Sequence, residues 1–309
     1  MALQNNLVKS SPQQGKKKFS VLIKEDTYKN LINGTLQDQK RATRFIANIS
    51  TAVALNPKLN DCDPATILSA GLVAETLNLP LNQSFGRAFL IPFDEKEYNP
   101  QTRKRETVRT VCQLQIGYKA FVEMALRSGQ YESISATEVR EGEYLGRSAE
   151  TAEPVFSFFT DDDIREEKPI VGYMASFVTI YGFKKKIYFT KKKMENHAMN
   201  YSTAYASDKK YGTSYSYWSK SAESYDEMAK KTVLKQLLSK WGVLSAELQE
   251  AIVKDQAVIK ANGDVEYVDN QPENEVPTTY IETPVVEETP VVEDTTNEIK
   301  GQTRLEFGE

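Results

Sequence analysis

Apolar residues recur at every third or fourth position in six stretches of the chain, the spacing of helices that bury one face. The stretches predicted to be helical are residues 25–32, 38–55, 63–78, 118–128, 226–241 and a last one that begins at Ser245. The fifth is the most regular, and its stripe of residues predicted to be buried consists of Met228, Val233, Leu234, Leu237, Leu238 and Trp241. The opposite side, which we expect to face solvent, carries Lys230, Lys231 and Lys235.

Elsewhere apolar and polar residues alternate, which is typical of strands with one buried face. This alternation predicts strands over residues 85–93, 108–116 and 131–140. Residues 171–181 are apolar at both alternations, so we expect a central strand there, with residues 187–190 as its short hairpin partner. The polar segment 94–107 joins the first two strands, which indicates a long hairpin whose tip is cationic.

Two connections show no clear period. Residues 141–168 form an acidic segment that we expect to be irregular, with the three aspartates at 161–163 in a solvated loop. Residues 196–217 are expected to hold a helix and a mobile loop. Hairpin strands mixed with amphipathic helices predict an α+β fold, in which an antiparallel or mixed sheet with a long hairpin is backed by helices.

Composition divides the chain into three parts. Residues 1–15 are polar and predicted to be flexible, residues 16–263 form the core, and residues 264–309 form an acidic tail with too little apolar surface to order itself. The net charge of −4 hides a division, because the tail carries 13 acids and 2 bases while the rest carries 37 bases and 30 acids. The basic body and the acidic tail should therefore contact different partners.

The strongest chemical signal lies in residues 183–241, where 13 lysines stand against five acids and nine aromatic residues lie between the first and last lysine. Spaced cations with flat rings between them suit a polyanion that alternates phosphates with stackable bases. The alternative is a solvated lysine-rich surface over a core that holds some of the rings. The density of both residue types favours nucleic acid.

The candidate contact residues fall into three groups. Assigned to phosphate contact are Lys184, Lys185, Lys186, Lys191, Lys192, Lys193, Lys209, Lys210, Lys230, Lys231 and Lys235. A second rank, on the hairpin and the helix at 118–128, comprises Arg103, Lys104, Arg105, Arg109, Lys119 and Arg127. Candidates for stacking on bases, with core or interface packing as the equal alternative, are Tyr211, Tyr217 and Trp218. The cationic hairpin tip is a candidate wedge between bases.

Several kinds of chemistry have no support in the residues. The chain has no G-x-x-x-x-G-K-[ST] motif, which argues against an ATP-driven recombinase or helicase. His197 is the sole histidine, and Cys62 and Cys112 show no partner pattern, so we expect no metal site, no cofactor and no catalysis. There is no apolar run of membrane-spanning length and no apolar leader, so we expect a cytoplasmic protein without a membrane partner.

Three ordered blocks resemble the RecT family of phage single-strand annealing proteins. The first is Leu79-Pro80-Leu81-Asn82 followed by residues 85–93, which read FGRAFLIPF. The second is QIGYKA at 115–120, leading into ALRSG at 125–129, and the third is residues 218–235, with DEMAKKT at 226–232. The resemblance covers about residues 38–241.

This resemblance implies a protein that coats single-stranded DNA without ATP, pairs it with a complementary strand to form duplex, and oligomerises along it. It also implies a partner exonuclease, contact with the host single-strand-binding protein, and an α+β core in which a curved sheet is backed by a long helix. Two rival functions stay open: a single-strand protector that does not anneal, and an interaction scaffold whose acidic tail recruits partners. The tail could compete with DNA for the basic body, or its Leu305 and Phe307 could dock on a partner.

Overall fold

The computed structural model of the protein describes residues 18–260 and 262–267. The predictions for residues 1–15 and for nearly all of the acidic tail lie outside the described residues. The described helices are α1 Phe19–Leu22, α2 Asp26–Leu36, α3 Gln39–Leu55, α4 Pro64–Thr76, α5 Tyr118–Arg127, α6 Asp162–Glu167, α7 Lys191–Tyr201, α8 Thr203–Tyr211, α9 Tyr217–Lys220, α10 Ala222–Trp241 and α11 Ala246–Lys254. The described strands are β1 Ala88–Asn99, β2 Lys104–Ile116, β3 Tyr131–Arg140, β4 Tyr144–Arg147, β5 Pro154–Phe156, β6 Ile170–Thr179, β7 Lys184–Thr190, β8 Ala257–Ile259 and β9 Val265–Glu266.

Capping side chains fix where the predicted helices begin. The Asp38 carboxylate accepts from the backbone amides of Lys40 and Arg41 at the start of α3. At α4, Asp63 caps the helix and Pro64 occupies its first turn, where a missing N–H does no harm. The helix predicted at 25–32 continues to Leu36, because Leu36 is itself buried in the core.

The long hairpin is confirmed, but its strands run much further than the apolar alternation does. β1 pairs antiparallel with β2 from Ala88 opposite Ile116 to Asn99 opposite Lys104. Most of the segment predicted as a polar link is therefore strand, and only residues 100–103 connect. Polar pairs such as Glu95 with Arg109 and Asp94 with Thr110 replace apolar pairs there, so the pattern of hydrophobicity cannot reveal the extension.

Every described strand pairing is antiparallel, which confirms the α+β prediction. One sheet has the order β1-β2-β8-β9, a second has the order β3-β6-β7, and β4 and β5 form a separate hairpin. Helix α10 packs against β3, β6 and β7, and the Tyr173 hydroxyl of β6 donates to Asp226 of α10 at 2.5 Å. Leu234, Leu237 and Leu238 of α10 are fully buried in this contact layer.

The segment 141–168, predicted to be irregular, contains β4, β5 and α6. Asp161 accepts from the amides of Asp163 and Ile164 and so begins α6 rather than lying in a solvated loop. The rings of Tyr144 and Tyr188 stack at 4.4 Å, which attaches this hairpin to β7. Likewise, residues 196–217 hold most of α7, all of α8 and the start of α9.

Among residues 18–260 and 262–267, no helix is both long and apolar enough to cross a bilayer.

Candidate nucleic-acid interface

Helix α10 separates two candidate regions. Ser221 and Ser224 form a reciprocal capping box at its N-terminus, and Gly242 ends it. Its 20 residues span about 30 Å at 1.5 Å per residue. Its N-terminal turns lie beside α5 and β2, and its last turn lies beside β7.

The first region is the lysine platform, which we define as Lys184, Lys186, Lys191, Lys192 and Lys193 on β7 and α7. Thr190 ends β7 and caps α7 by accepting from the Lys193 amide, so the turn from strand to helix places three lysines in the first helical turn. Positive charge at a helix N-terminus opposes the helix dipole, so these lysines do not stabilise α7. Lys184, Lys191 and Lys192 are exposed and make no ion pair with a described carboxylate.

Other cations strengthen the positive field of the platform. The pKa of Lys193 is lowered by partial burial and by the charges of Arg147 and Lys240. The pKa of His197 falls to about 4 through burial and the charges of Lys235 and Lys193, so the imidazole is neutral at pH 7. Arg147 and Lys240 were not among the predicted contact residues. Arg147 lies in the segment expected to be irregular, and its proximity to Lys193 depends on the packing of that segment against β7.

Aromatic rings lie against one lysine of the platform and against two lysines beside it. The ammonium group of Lys193 is 3.7 Å from the Phe189 ring centroid. Trp241 was predicted to be buried, but its side chain is 43% exposed, with Lys185 at 4.5 Å and Lys240 at 5.9 Å from the ring. The prediction was wrong because the ring lies against the Lys185 side chain of β7 and not among the buried residues of the core. An exposed indole flanked by two ammonium groups could stack on a base whose phosphates meet the lysines.

Lys231 is not on this surface, and its predicted exposure is wrong. It is 4% exposed and donates to Asp255 at 2.7 Å, while Lys235 donates to the other Asp255 oxygen at 3.2 Å. Asp255 also accepts from the Ile116 amide at 2.9 Å. Burial alone would raise the pKa of Asp255, but the two ammonium groups and this amide hold it below its usual value. Lys231 therefore joins α10 to β2 and is unavailable to phosphate.

Several other predicted contact residues already have partners. The ion pairs are Lys185 with Glu153 at 2.8 Å, Lys209 with Glu195 at 3.0 Å, Lys230 with Glu227 at 2.8 Å, Arg109 with Glu95 and Glu266, and Arg127 with Glu123 and Glu247. Such cations can still meet a phosphate only by exchanging partners, so they contribute less than unpaired ones.

The remaining predicted residues are scattered. Arg103 and Lys104 are exposed at the hairpin tip, and the Arg105 side chain lies outside the described residues. Lys210 and Tyr211 are exposed at the end of α8, with the ammonium 5.2 Å from the ring. Trp218 is 6% exposed and packs edge-on against Tyr225, so it belongs to the core and not to a stacking surface.

The second region is a cleft of about 290 Å³ at the N-terminal end of α10. The three blocks that resemble the RecT family meet here: Gly86 and Phe89 come from the first, Gln115 to Tyr118 from the second, and residues 220–231 from the third. Gly86 has φ +65° and a Cβ on Gly117 would lie 2.1 Å from the Gly86 carbonyl oxygen, so both glycines are required for this close approach. Tyr217, Lys220 and the exposed Lys119 lie at the cleft or its rim.

A buried carboxylate holds the loop that carries Tyr217. Asp208 is 3% exposed and accepts from the Ser219 hydroxyl, from the Thr213 hydroxyl at 2.5 Å and from the Ser216 amide at 2.7 Å. Burial would raise the pKa of Asp208, but these hydrogen bonds lower it to about 2. Tyr215 and Tyr217 on the same loop stay 86% and 38% exposed. Asp208 is thus a positioning residue that the sequence did not reveal.

Residues 18–260 and 262–267 contain no group of three or more His, Cys, Asp or Glu side chains arranged to hold a metal ion.

An α+β fold with a lysine-rich edge, exposed rings and a partly apolar cleft is compatible with a protein that binds single-stranded nucleic acid. Comparison with known sequences makes the assignment specific. The chain belongs to the RecT family, whose sequence profile matches residues 43–273. It is 31% identical over 283 residues to the uncharacterized protein YqaK of Bacillus subtilis (strain 168), covering 87% of this chain and 88% of that protein.

The chain is also similar to Protein RecT of Escherichia coli (strain K12), at 28% identity over 240 residues, covering 76% of this chain and 78% of that protein. Membership of the family supports a general role in single-strand annealing during DNA recombination, and with it the binding of single-stranded DNA.

Proposed function

We propose that the protein anneals complementary DNA strands without ATP, as a homo-oligomer that binds the strand backbone through the lysine platform. The observation that carries this proposal is the set of exposed lysines on β7 and α7, Lys184, Lys191 and Lys192, which make no close ion pair with a described carboxylate. The exposed ring of Trp241 lies beside two further lysines, Lys185 and Lys240. Each neutralised phosphate of a single strand releases condensed counterions, with a slope of about −0.7 in log K against log salt. Binding of this kind needs neither ATP hydrolysis nor the formation of a covalent bond.

Annealing requires the bases to remain available while the backbones are neutralised. Two strands repel through their phosphates, and pairing begins only when complementary bases meet. A surface that holds phosphates and stacks on occasional bases leaves most pairing edges free. Oligomerisation then raises the effective concentration of neighbouring sites, so that weak contacts add up along a strand.

The direct test mixes two complementary oligonucleotides and follows duplex formation by quenching of a fluorescent pair, with no ATP and with a chelator of divalent cations present. We expect acceleration over the spontaneous rate and a strong decrease of that acceleration with salt. A single-strand protector would bind both oligonucleotides and slow their pairing. An interaction scaffold would show little or salt-insensitive binding.

The acidic tail is proposed to serve partner binding, with an exonuclease and a host single-strand-binding protein as the partners and the cytoplasm as the compartment. The charge of residues 264–309 opposes that of the body, so the tail can also compete with DNA. Deletion of residues 270–309 should then tighten oligonucleotide binding at low salt. An unchanged affinity would exclude competition and leave partner binding as the role of the tail.

A further inference from the structure

The cleft beside α10 combines apolar walls with acceptor groups. Phe89 and Met228 contribute apolar surface, and Tyr217 lies at the same cleft with an exposed ring. The Gln115 amide donates only to the Met228 sulfur at 3.4 Å, a weak acceptor, and no described group donates to its carbonyl oxygen. One Glu227 oxygen accepts from Lys230 at 2.8 Å, which leaves its second oxygen with acceptor capacity. The cleft therefore offers flat apolar contact and hydrogen-bond acceptors.

A phosphate is a poor occupant of this cleft. At the N-terminus of α10 the reciprocal capping bonds satisfy the amides of Ser221 and Ser224, although not those of Ala222 and Glu223. Glu223 and Glu227 also line the cleft and would repel an anion. The cations at this end, Lys119 and Lys220, are exposed at the rim. Their position suits phosphates that pass outside while a neutral group enters.

We propose that the cleft receives one unstacked nucleobase of the bound strand, and that Glu227 and Gln115 favour a base with an exocyclic amino group. This inference rests on the proposed binding of single-stranded DNA. A base held here has left the pairing register, so it anchors the strand on the subunit while the bases on either side remain available. A base within a finished duplex cannot enter, and the cleft thus distinguishes the single strand from the annealed product.

Cytosine and thymine provide a matched pair of occupants. Both are pyrimidines of similar size, but cytosine presents an N4 amino donor where thymine presents an O4 acceptor. A carboxylate or amide oxygen attracts the former and repels the latter. Lys231 also lines the cleft, but its buried ammonium donates to Asp255 at 2.7 Å and is therefore not counted as a donor to either pyrimidine. Discrimination should therefore come from Glu227 and Gln115.

The test titrates the full-length protein with fluorescently labelled oligo(dC) and oligo(dT) of equal length and follows anisotropy. We expect oligo(dC) to bind about tenfold more tightly, a difference of about 1.4 kcal/mol. Glu227→Gln should reduce this preference to about twofold or less, since the amide presents a donor as well as an acceptor. Gln115→Leu, which keeps the volume and removes the acceptor, should reduce it in the same direction.

The matched control is Glu167→Gln, an exposed carboxylate on α6, which should keep the full preference. Circular dichroism of each variant verifies that it is folded. Equal affinity of the wild type for the two oligonucleotides, with normal salt dependence, would overturn the base-pocket inference while leaving the proposed function intact. So would a preference that survives in both cleft variants. Absence of salt-dependent binding to either oligonucleotide would instead overturn the proposed function, and the base pocket with it.

Discussion

Lys231 and the lysines of the platform are the same residue type with opposite roles. Lys231 is buried on α10, and its charge is balanced by a fully buried carboxylate, Asp255. Lys191 and Lys192 are exposed at the start of α7 and make no close ion pair with a described carboxylate, although Lys191 is near enough to Glu195 to help lower the pKa of that carboxyl. Lys231 therefore contributes to the stability of the fold. Lys191 and Lys192 contribute to the positive electrostatic field at the surface, which attracts a polyanion. A count of lysines in the sequence cannot separate these roles.

The largest effect is expected from removing the buried carboxylate that pairs with Lys231. Asp255→Ala leaves two ammonium groups and the Ile116 amide without their acceptor, and it should reduce the free energy of unfolding by about 3–5 kcal/mol. Urea denaturation followed by circular dichroism measures this. Lys192→Ala, the exposed counterpart, should change stability by no more than about 0.5 kcal/mol. A similar loss of unfolding free energy in the two variants would show that the buried and the exposed lysines do not differ in their contribution to stability.

Replacing the exposed lysines of the platform with alanine should weaken DNA binding and leave the stability of the fold nearly unchanged. The triple variant Lys184→Ala, Lys191→Ala and Lys192→Ala removes three cations, so the slope of log K against log salt should fall by about 2, and affinity at 0.1 M salt by about a hundredfold. Fluorescence anisotropy at several salt concentrations gives both values. The matched control replaces three exposed lysines of the N-terminal helical region, Lys24, Lys40 and Lys58. An equal change in the control would mean that only net charge matters.

The helical spacing of apolar residues in α10 was enough to indicate that Lys231 is buried. Lys231 lies three residues after Met228 and three before Leu234, so it falls on the buried stripe of α10, although its charge favoured the opposite assignment. Its partner Asp255 lies 24 residues away beyond another helix, and no local pattern connects the two. The paired strands, the helix starts at Asp38 and Asp63 and the basic region were predictable because their signals are local.

What could not be predicted depends on contacts between distant segments. The hairpin extension is held by cross-strand polar pairs that have no apolar signature. The exposure of Trp241 depends on its contact with Lys185 of β7, and the position of Arg147 near Lys193 depends on the packing of the hairpin of β4 and β5. The cleft depends on three blocks meeting in space, and sequence similarity identified the blocks without placing them together.

A smaller effect should follow from removing the exposed ring of the platform. Trp241→Ala should weaken oligonucleotide binding by about 1–3 kcal/mol, the usual contribution of one stacked base, with little change in the salt slope. Trp241→Phe should restore part of the affinity because a flat ring remains. Binding that is unaffected by the alanine substitution would assign Trp241 to packing against Lys185 alone.

The smallest expected effect concerns the loop that holds Tyr217. Asp208→Asn should destabilise the protein by about 1–2 kcal/mol at neutral pH, since a carboxylate acceptor of several hydrogen bonds becomes an amide. The folded pKa of about 2 lies below the unfolded value of about 3.9, so this contribution is complete above roughly pH 4 and is lost as pH falls through about 2. The difference in unfolding free energy between wild type and variant should therefore shrink from pH 5 to pH 3. A constant difference across that range would show that the charge of Asp208 is not the cause.

The most direct test of the account reverses the charge of Lys191 and Lys192 to glutamate and measures the rate at which complementary oligonucleotides pair without ATP. Lys24→Glu with Lys58→Glu serves as the charge-matched control. If the platform neutralises the strands, pairing in the first variant should fall to the spontaneous rate while the control retains most of its acceleration. Normal acceleration by the platform variant, with its fold intact, would contradict the central claim.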